Sequence, residues 1–258
     1  MATTTTAIPG AKNATGVIRW LIGRVSEVKP ETPKVASIVI DVPGWQGHLP
    51  GQHLDVRLTA DDGYQAQRSY SIASAPEEKG VTITVERLDD GEVSPYLVGE
   101  LRATDKIELR GPIGGYFVWR APGDRPLLLI AGGSGVVPMM AIIRHREAAE
   151  DHTPVRLLYS SRTFEDVIYR EELDRLTTAD DSLDVRHTLT RSHPDGWRGY
   201  TRRLDRQMID EVAWPPKPAP AVFICGPTSF VESAASLLVE HGYDARSIKT
   251  ERFGATGG

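Results

Sequence analysis

The chain has 258 residues, which is about two domains at the usual size of about 100–150 residues each, with one large barrel as the alternative. Its 40% hydrophobic and 25% charged residues are typical of a soluble folded protein. The single cysteine excludes an internal disulfide and a centre of iron–sulfur or zinc held by several thiolates, and the net charge of −5 argues against a nucleic-acid partner.

The N-terminal segment has neither the basic start nor the apolar core of a secretory signal. The first fifteen residues are rich in threonine and alanine and lack periodicity, so we expect a mobile tail at residues 1–15. No run reaches the ~18 apolar residues that a membrane-spanning helix needs. We therefore expect a cytoplasmic monomer without a membrane partner.

Residues 16–120 carry the pattern of an all-β barrel. Clusters of proline, glycine and aspartate separate short β-rich runs: VIRWLIGRV, VASIVIDV, HLDVRL, SYSIAS, VTITVERL and KIELR. Residues 94–101 interrupt these runs with the spacing of one short helix. This half is therefore predicted to be a six-stranded antiparallel barrel.

Residues 121–258 change to strands that alternate with helices, and the boundary falls in the segment 121–126. The apolar run LLLIA is followed by Gly-Gly-Ser-Gly and then by a helical run, as expected of a strand buried on both faces. Further predicted strands are VRLLYSS, LDVRHTLT, AVFICGP and IKTERF, and further helices are FEDVIYREELDRL and SFVESAASLLVEHG. The alternation predicts a five-stranded parallel sheet with helices on both faces.

Two turns at predicted strand ends and one strand carry candidate functional residues. Ligands of parallel sheets bind beyond the carboxyl ends of the strands, where residues 132–135 and Cys225 fall. Such a glycine turn either admits a phosphate or serves packing, and a lone cysteine is most often a small buried hydrophobe. On the strand, Arg68 and Tyr70 face the same way, as part of a site or as an exposed pair. The seven histidines lack metal-ligand spacing, so no metal site is predicted.

The order of five motifs resembles the ferredoxin–NADP reductase family, specifically its bacterial flavin-dependent members. The motifs are RSYS, GEVSPYL, GGSGVVPMM, CGP and a near-terminal ERF, and the resemblance covers residues ~16–258. It implies an FAD-binding barrel followed by a nicotinamide-binding domain. The implied reaction is hydride transfer from NADPH, or NADH, to FAD, and then single-electron transfer to a separate ferredoxin or similar iron–sulfur or haem protein.

Carried over by position, the resemblance implies a set of flavin contacts. Arg68 would pair with the flavin pyrophosphate, Tyr70 would lie against the isoalloxazine ring, and Ser71 would donate a hydrogen bond near N5. Ser69 is a further implied flavin contact. At the pyrophosphate, the resemblance implies Gly91, Glu92, Val93 and Ser94. On the ribityl or adenylate side, it implies Glu86, Arg87 and Leu88.

The same resemblance implies a nicotinamide site in the second half. Cys225 would lie beside the nicotinamide ring, and Glu251 and Phe253 match a terminal acidic and aromatic pair in which the aromatic ring covers the flavin. Ser71, Cys225, Glu251 and Phe253 are therefore the implied catalytic residues. The dinucleotide loop and the cysteine turn would add Gly133, Ser134, Gly135, Pro138, Gly226 and Pro227. The residues GATGG follow Phe253, whereas the plant-type chain ends on its aromatic residue. This extension either touches the flavin adenine or makes no contact with it.

The choice of dinucleotide depends on residues after the second and third parallel strands. Ser161, Arg162, Arg191 and Tyr200 match positions that hold the 2′-phosphate in NADPH-dependent relatives, although some NADH-dependent relatives carry a similar arginine. We favour NADPH.

Three alternatives stay open. One is an NADH-dependent reductase component of an oxygenase or cytochrome P450 system, and another is a free-flavin or ferric reductase. The third is a flavin-binding subunit without turnover. The single cysteine indicates that electrons leave for a separate protein, whose identity the sequence does not show.

Overall fold

A computed structural model describes residues 18–254, so the predicted tail at residues 1–15 and the last four residues lie outside the described part. The chain forms one antiparallel and one parallel sheet, joined by residues 114–126. This confirms the predicted fold class. Within residues 18–254, no helix combines the length and the hydrophobicity that crossing a bilayer requires.

The antiparallel sheet has six strands in the order β4-β3-β6-β1-β2-β5. An isolated bridge between Ile72 and Ile83 joins its two edges and closes it into a barrel. Apolar side chains such as Ile38, Leu54 and Ile83 fill the interior. The strands are β1 (Leu21–Thr32), β2 (Val35–Asp41), β3 (His53–Thr59), β4 (Gln65–Ser71), β5 (Val81–Glu86) and β6 (Lys106–Ile113), and the predicted short helix is α1 (Ser94–Gly99).

The parallel sheet has five strands in the order β11-β10-β7-β8-β9. Every residue of β7 is buried, and its alternate side chains join two different apolar clusters, because helices cover both faces. The strands are β7 (Leu127–Gly132), β8 (Val155–Ser161), β9 (Leu183–Leu189), β10 (Ala221–Pro227) and β11 (Ile248–Phe253). The helices are α2 (Val136–Ala148), α3 (Arg170–Ala179), α4 (Arg206–Val212) and α5 (Thr228–His241).

Two helices differ from the sequence prediction. The helix predicted from residue 164 begins only at Arg170, because Tyr169 adopts a left-handed φ of 59° and buries its ring at the domain interface. The short helix α4 was not predicted. Asp205 caps it by accepting a hydrogen bond from the Met208 amide.

The two domains share a continuous interface. Val35 and Ala73 of the barrel, with Phe117 of the connecting segment, pack in the same apolar cluster as one face of the parallel sheet. Polar contacts add to this: Arg144 Nη1 donates to the Ala73 carbonyl at 2.7 Å, and the Tyr169 hydroxyl donates to Thr84 Oγ1 at 2.5 Å. The interface therefore fixes how the strand ends of one domain face those of the other.

Candidate functional site

The glycine loop and the cysteine turn touch each other, because β7 and β10 are parallel neighbours and end at the same edge. A Cβ on Gly135 would lie 2.1 Å from the Cys225 carbonyl oxygen, and one on Gly132 would lie 2.9 Å from the Phe230 ring. These two glycines are therefore required by packing. Gly133 has a φ of +55° and faces open space, so it leaves room above the loop.

The strand pair β10 and β11 brings four predicted residues to this edge. Cys225 pairs in register with Glu251, and Pro227 pairs with Phe253, whose ring packs partly buried against the core of the parallel sheet. Burial, together with the Glu251 charge, raises the pKa of the Cys225 thiol, so the thiol stays protonated. Burial also raises the pKa of Glu251 to about 7. The edge thus presents a neutral thiol beside a carboxyl that titrates near neutrality.

Glu251 is expected to make the protein less stable as the pH rises. Its pKa is raised in the fold, so the folded protein holds this proton more tightly than the unfolded chain, and the free energy of unfolding falls between about pH 4.5 and about pH 7. Urea unfolding should show a loss of about 2 kcal/mol between pH 5 and pH 8 that is absent in Glu251→Gln. Parallel pH profiles of the two proteins would contradict the raised pKa.

The flavin-side candidates occupy the end of β4. Arg68 and Tyr70 share one face of the strand as predicted, and Tyr70 packs against the barrel core, where burial raises its pKa to about 12. The Ser71 hydroxyl makes no side-chain hydrogen bond within residues 18–254. A guanidinium, a neutral aromatic ring and a hydroxyl at one strand end fit a flavin nucleotide, since they suit phosphate, ring stacking and a polar ring atom.

Glu92 bonds the Arg68 guanidinium, which the resemblance assigns to a phosphate. Its Oε2 accepts a hydrogen bond from Arg68 Nη2 at 2.6 Å, and its Oε1 accepts one from the Tyr64 hydroxyl at 2.6 Å. These bonds lower the pKa of Glu92, so it is an anion at neutral pH. A flavin pyrophosphate held by Arg68, as the motif order implies, would have to share the guanidinium with this carboxylate or displace it.

Several other predicted flavin contacts are engaged elsewhere by their side chains. The Ser69 hydroxyl lies on the opposite face of β4 and donates to Asp55 at 2.5 Å. Val93 is fully buried in the barrel core, and Ser94 Oγ accepts from the Leu88 amide at 3.0 Å. Gly91 is required there, because its Cβ would lie 2.9 Å from Ser94 Oγ. Val93 and Ser94 lie at the start of α1, where backbone amides can meet a phosphate, whereas the Gly91 amide already donates to the Leu88 carbonyl at 2.9 Å.

The last residue of β5 and the two residues after it make different contacts. Glu86 accepts a hydrogen bond from Ser134 Oγ of the glycine loop at 2.8 Å. Arg87 pairs with Asp89 at 3.5 Å on the surface, and the Leu88 side chain is exposed. Sequence reasoning assigned Glu86 to the flavin and Ser134 to the dinucleotide, and the structure brings the two together.

The candidate 2′-phosphate residues gather at the carboxyl ends of β8 and β9. The Arg191 amide donates to the Arg162 carbonyl at 2.8 Å, and the Thr190 amide donates to the Ser161 carbonyl at 3.0 Å. The side chains of Arg162 and Arg191 are exposed and form no hydrogen bond or ion pair within residues 18–254. Two guanidinium groups are thereby available at one place.

Two further predicted dinucleotide contacts, Pro138 and Tyr200, lie on different elements: Pro138 belongs to α2, and Tyr200 pairs with the end of β9, where its amide donates to the His187 carbonyl at 3.0 Å. Pro138 is buried in the first turn of α2, where it suits the start of a helix. Tyr200 donates its hydroxyl to Glu211 of α4 at 2.5 Å, and its ring lies beneath the Arg202 guanidinium.

Sequence reasoning missed an aromatic cluster beside the arginines. The Trp197 ring meets Phe164 edge-on with centroids 5.8 Å apart, and His187 lies 6.2 Å away on another side. Burial lowers the pKa of His187, whose Nδ1 has no partner within residues 18–254. The signal in the sequence was Trp197 followed two residues later by Gly199. The structure shows why a glycine stands there, because a Cβ at Gly199 would lie 2.6 Å from the indole ring.

A closed antiparallel barrel joined to a parallel dinucleotide-type sheet, with Glu86 of the barrel bonded to Ser134 of the glycine loop, is the architecture of a class of two-domain oxidoreductases. The profile of the oxidoreductase FAD-binding domain matches residues 24–118, and that of the oxidoreductase NAD-binding domain matches residues 129–236. The chain belongs to the ferredoxin reductase-like family of FAD- and NAD-binding oxidoreductases, as the motif order predicted.

Three similar proteins illustrate the family. The glycine betaine monooxygenase reductase subunit of Pseudomonas aeruginosa is 31% identical over 80% of this chain, which spans 56% of that protein's length. NADH-cytochrome b5 reductase 1 of Aspergillus oryzae is 31% identical over 75% of this chain and 68% of its own. The FAD/NAD-binding domain of a Vibrio cholerae nitric oxide dioxygenase shares the fold, with a TM-score of 0.81 and 24% identity over 91% of this chain and 99% of that one.

Proposed function

We propose that the protein is a flavoprotein reductase that oxidises NADPH on FAD and delivers electrons to a separate redox protein such as a ferredoxin. The observation that carries this proposal is the contact between the two domains, where Ser134 of the predicted dinucleotide loop donates a hydrogen bond to Glu86 at the end of the barrel strand β5. FAD, when bound, accepts a hydride and releases electrons one at a time.

The residues of the chain have distinct tasks in this proposal. Tyr70 offers a ring face and Ser71 a hydroxyl to the flavin, and Arg68 offers its guanidinium to the pyrophosphate. Cys225 and Glu251 line the nicotinamide position, because they pair side by side at the end of β10 and β11. Phe253 covers the flavin face that the nicotinamide must reach. The domains that perform these tasks are residues 16–120 and 121–258.

Anaerobic mixing of the purified protein with NADPH and with NADH tests the proposal. We expect protein that keeps its yellow colour through dialysis and bleaches with both dinucleotides, at lower concentrations of NADPH. The proposal is wrong if the purified protein carries no flavin, or if neither dinucleotide bleaches it. Flavin lost on dialysis would instead indicate a free-flavin reductase.

Arg162 and Arg191 are expected to set the preference for NADPH. Replacing both with alanine should raise the apparent Kd for NADPH about 10- to 100-fold and leave that for NADH nearly unchanged, because each guanidinium forms charge-assisted bonds to the 2′-phosphate. Arg246→Ala, an exposed arginine before the amino end of β11, is the control. Equal changes for the two dinucleotides would count against this assignment.

A second candidate is the NADH-dependent reductase component of an oxygenase. It is favoured by the similarity to a glycine betaine monooxygenase reductase subunit. For this function, the double arginine variant would change neither dinucleotide's apparent Kd. We further propose a cytoplasmic monomer, in which the buried thiol of Cys225 does not link two copies of the chain through a disulfide.

A further inference from the structure

One side-chain hydrogen bond joins the glycine loop directly to the barrel. Ser134 Oγ donates to Glu86 Oε2 at 2.8 Å. The other side-chain hydrogen bonds that cross between the domains within residues 18–254 lie outside the loop, for example those of Arg144, Tyr169 and Lys249. The Glu86 bond is thus the direct polar connection between the flavin domain and the turn that meets the dinucleotide.

Both ends of this bond are held rigidly. Glu86 is the last residue of β5, where it pairs with Val35, and the next amide, of Arg87, donates to the Lys34 carbonyl at 2.8 Å. Ser134 lies in a 3₁₀ turn between β7 and α2. Because the backbone is held at both ends, this bond fixes the separation between the end of β5 and the glycine loop while it is formed.

The connection continues from Ser134 to the cysteine turn. The next residue, Gly135, packs so tightly that a Cβ on it would lie 2.1 Å from the Cys225 carbonyl oxygen. Glu86 therefore reaches Cys225 through one hydrogen bond and one backbone contact. This path places the nicotinamide-binding turn at a set distance from the barrel.

We propose that Glu86 is a positioning residue for hydride transfer: its carboxylate holds Ser134, and through Gly135 it sets the separation between the nicotinamide turn and the flavin. The inference rests on the proposed function. Because hydride transfer requires close approach of donor and acceptor atoms, a small shift of the turn lowers the rate at which bound nicotinamide reacts more than it lowers affinity.

Stopped-flow reduction of the FAD-loaded protein separates these effects. Ser134→Ala and Glu86→Ala should each lower the limiting rate of flavin reduction about tenfold and change the apparent Kd for NADPH by less than about threefold, and the double variant should be no slower than either. Glu86→Gln keeps an acceptor oxygen and should recover most of the rate. Glu77→Ala, which removes a carboxylate that bonds His145 across the interface, is the control.

Hydrogen exchange of the flavin-free protein supplies a readout independent of turnover. Amides of residues 133–136 should exchange faster in Ser134→Ala and in Glu86→Ala, by equal amounts and without further increase in the double variant. The proposal is overturned if the effects of the two single substitutions on the limiting rate multiply in the double variant. It is also overturned if Glu86→Gln is as slow as Glu86→Ala. If neither dinucleotide bleaches the unmodified protein, the proposed function fails instead. Unchanged hydrogen exchange in the variants would show that the bond between Glu86 and Ser134 does not hold the glycine loop.

Discussion

Gly135→Ala is expected to slow flavin reduction by NADPH about a hundredfold while FAD stays bound. The added Cβ would lie 2.1 Å from the Cys225 carbonyl oxygen and 2.8 Å from the Gly226 amide nitrogen. Contacts this short with backbone atoms force the glycine loop and the cysteine turn apart by about 1 Å, and such a displacement at a reacting centre costs about two orders of magnitude in rate.

Reduction by dithionite distinguishes this effect from general damage. Dithionite needs no dinucleotide site, so Gly135→Ala should be bleached by it as fast as the unmodified protein. Gly115→Ala is the matched control, because its Cβ would meet no atom within 4 Å and its φ is not positive. Rapid reduction of Gly135→Ala by NADPH would show that the two turns move independently.

The fold could be predicted largely from local patterns. β7 was recognisable because each of its residues is apolar or small and each is buried. The stop of α5 followed from Gly242, which takes a φ of +110° that few other residues accept. In both cases the signal lies within a few neighbouring residues, so the sequence contains it.

The polar part of the site could be predicted only in outline. The shared face of Arg68 and Tyr70 follows from the period of a strand, but the ion pair of Arg68 with Glu92 joins residues 24 positions apart. The bond between Glu86 and Ser134 spans 48 positions and two domains. Such contacts depend on how whole elements pack, and no local period records them.

The glycine loop shows how one motif can carry two meanings. As a sequence, it left packing and phosphate binding open. The structure assigns packing to Gly132 and Gly135, whose Cβ atoms would meet Phe230 and Cys225. Only Gly133 and Ser134 remain for a ligand or a neighbouring domain, and Ser134 is bonded to Glu86. The motif therefore fixes the packing of the glycine loop against the cysteine turn more than it supplies contacts to a ligand.

Arg68 and Glu92 are expected to affect FAD binding in opposite directions. Arg68→Ala should weaken FAD binding about a hundredfold, because charge-assisted bonds from a guanidinium to phosphate contribute about 1.5–3 kcal/mol each. Glu92→Gln should tighten binding about threefold, since the neutral amide no longer competes with the pyrophosphate for Arg68 and no longer repels it.

Titration of the flavin-free protein with FAD, followed by flavin fluorescence, measures both changes. Arg57→Ala is the matched control, because Arg57, on the neighbouring strand β3, also pairs with a glutamate, Glu108 of β6, at 3.0 Å. Because Arg68 and Glu92 are both about half exposed, loss of their mutual ion pair has little effect on stability, and the binding change reports the phosphate contact itself. Weaker FAD binding by Glu92→Gln would mean that the carboxylate holds Arg68 in place for the phosphate rather than competing with it.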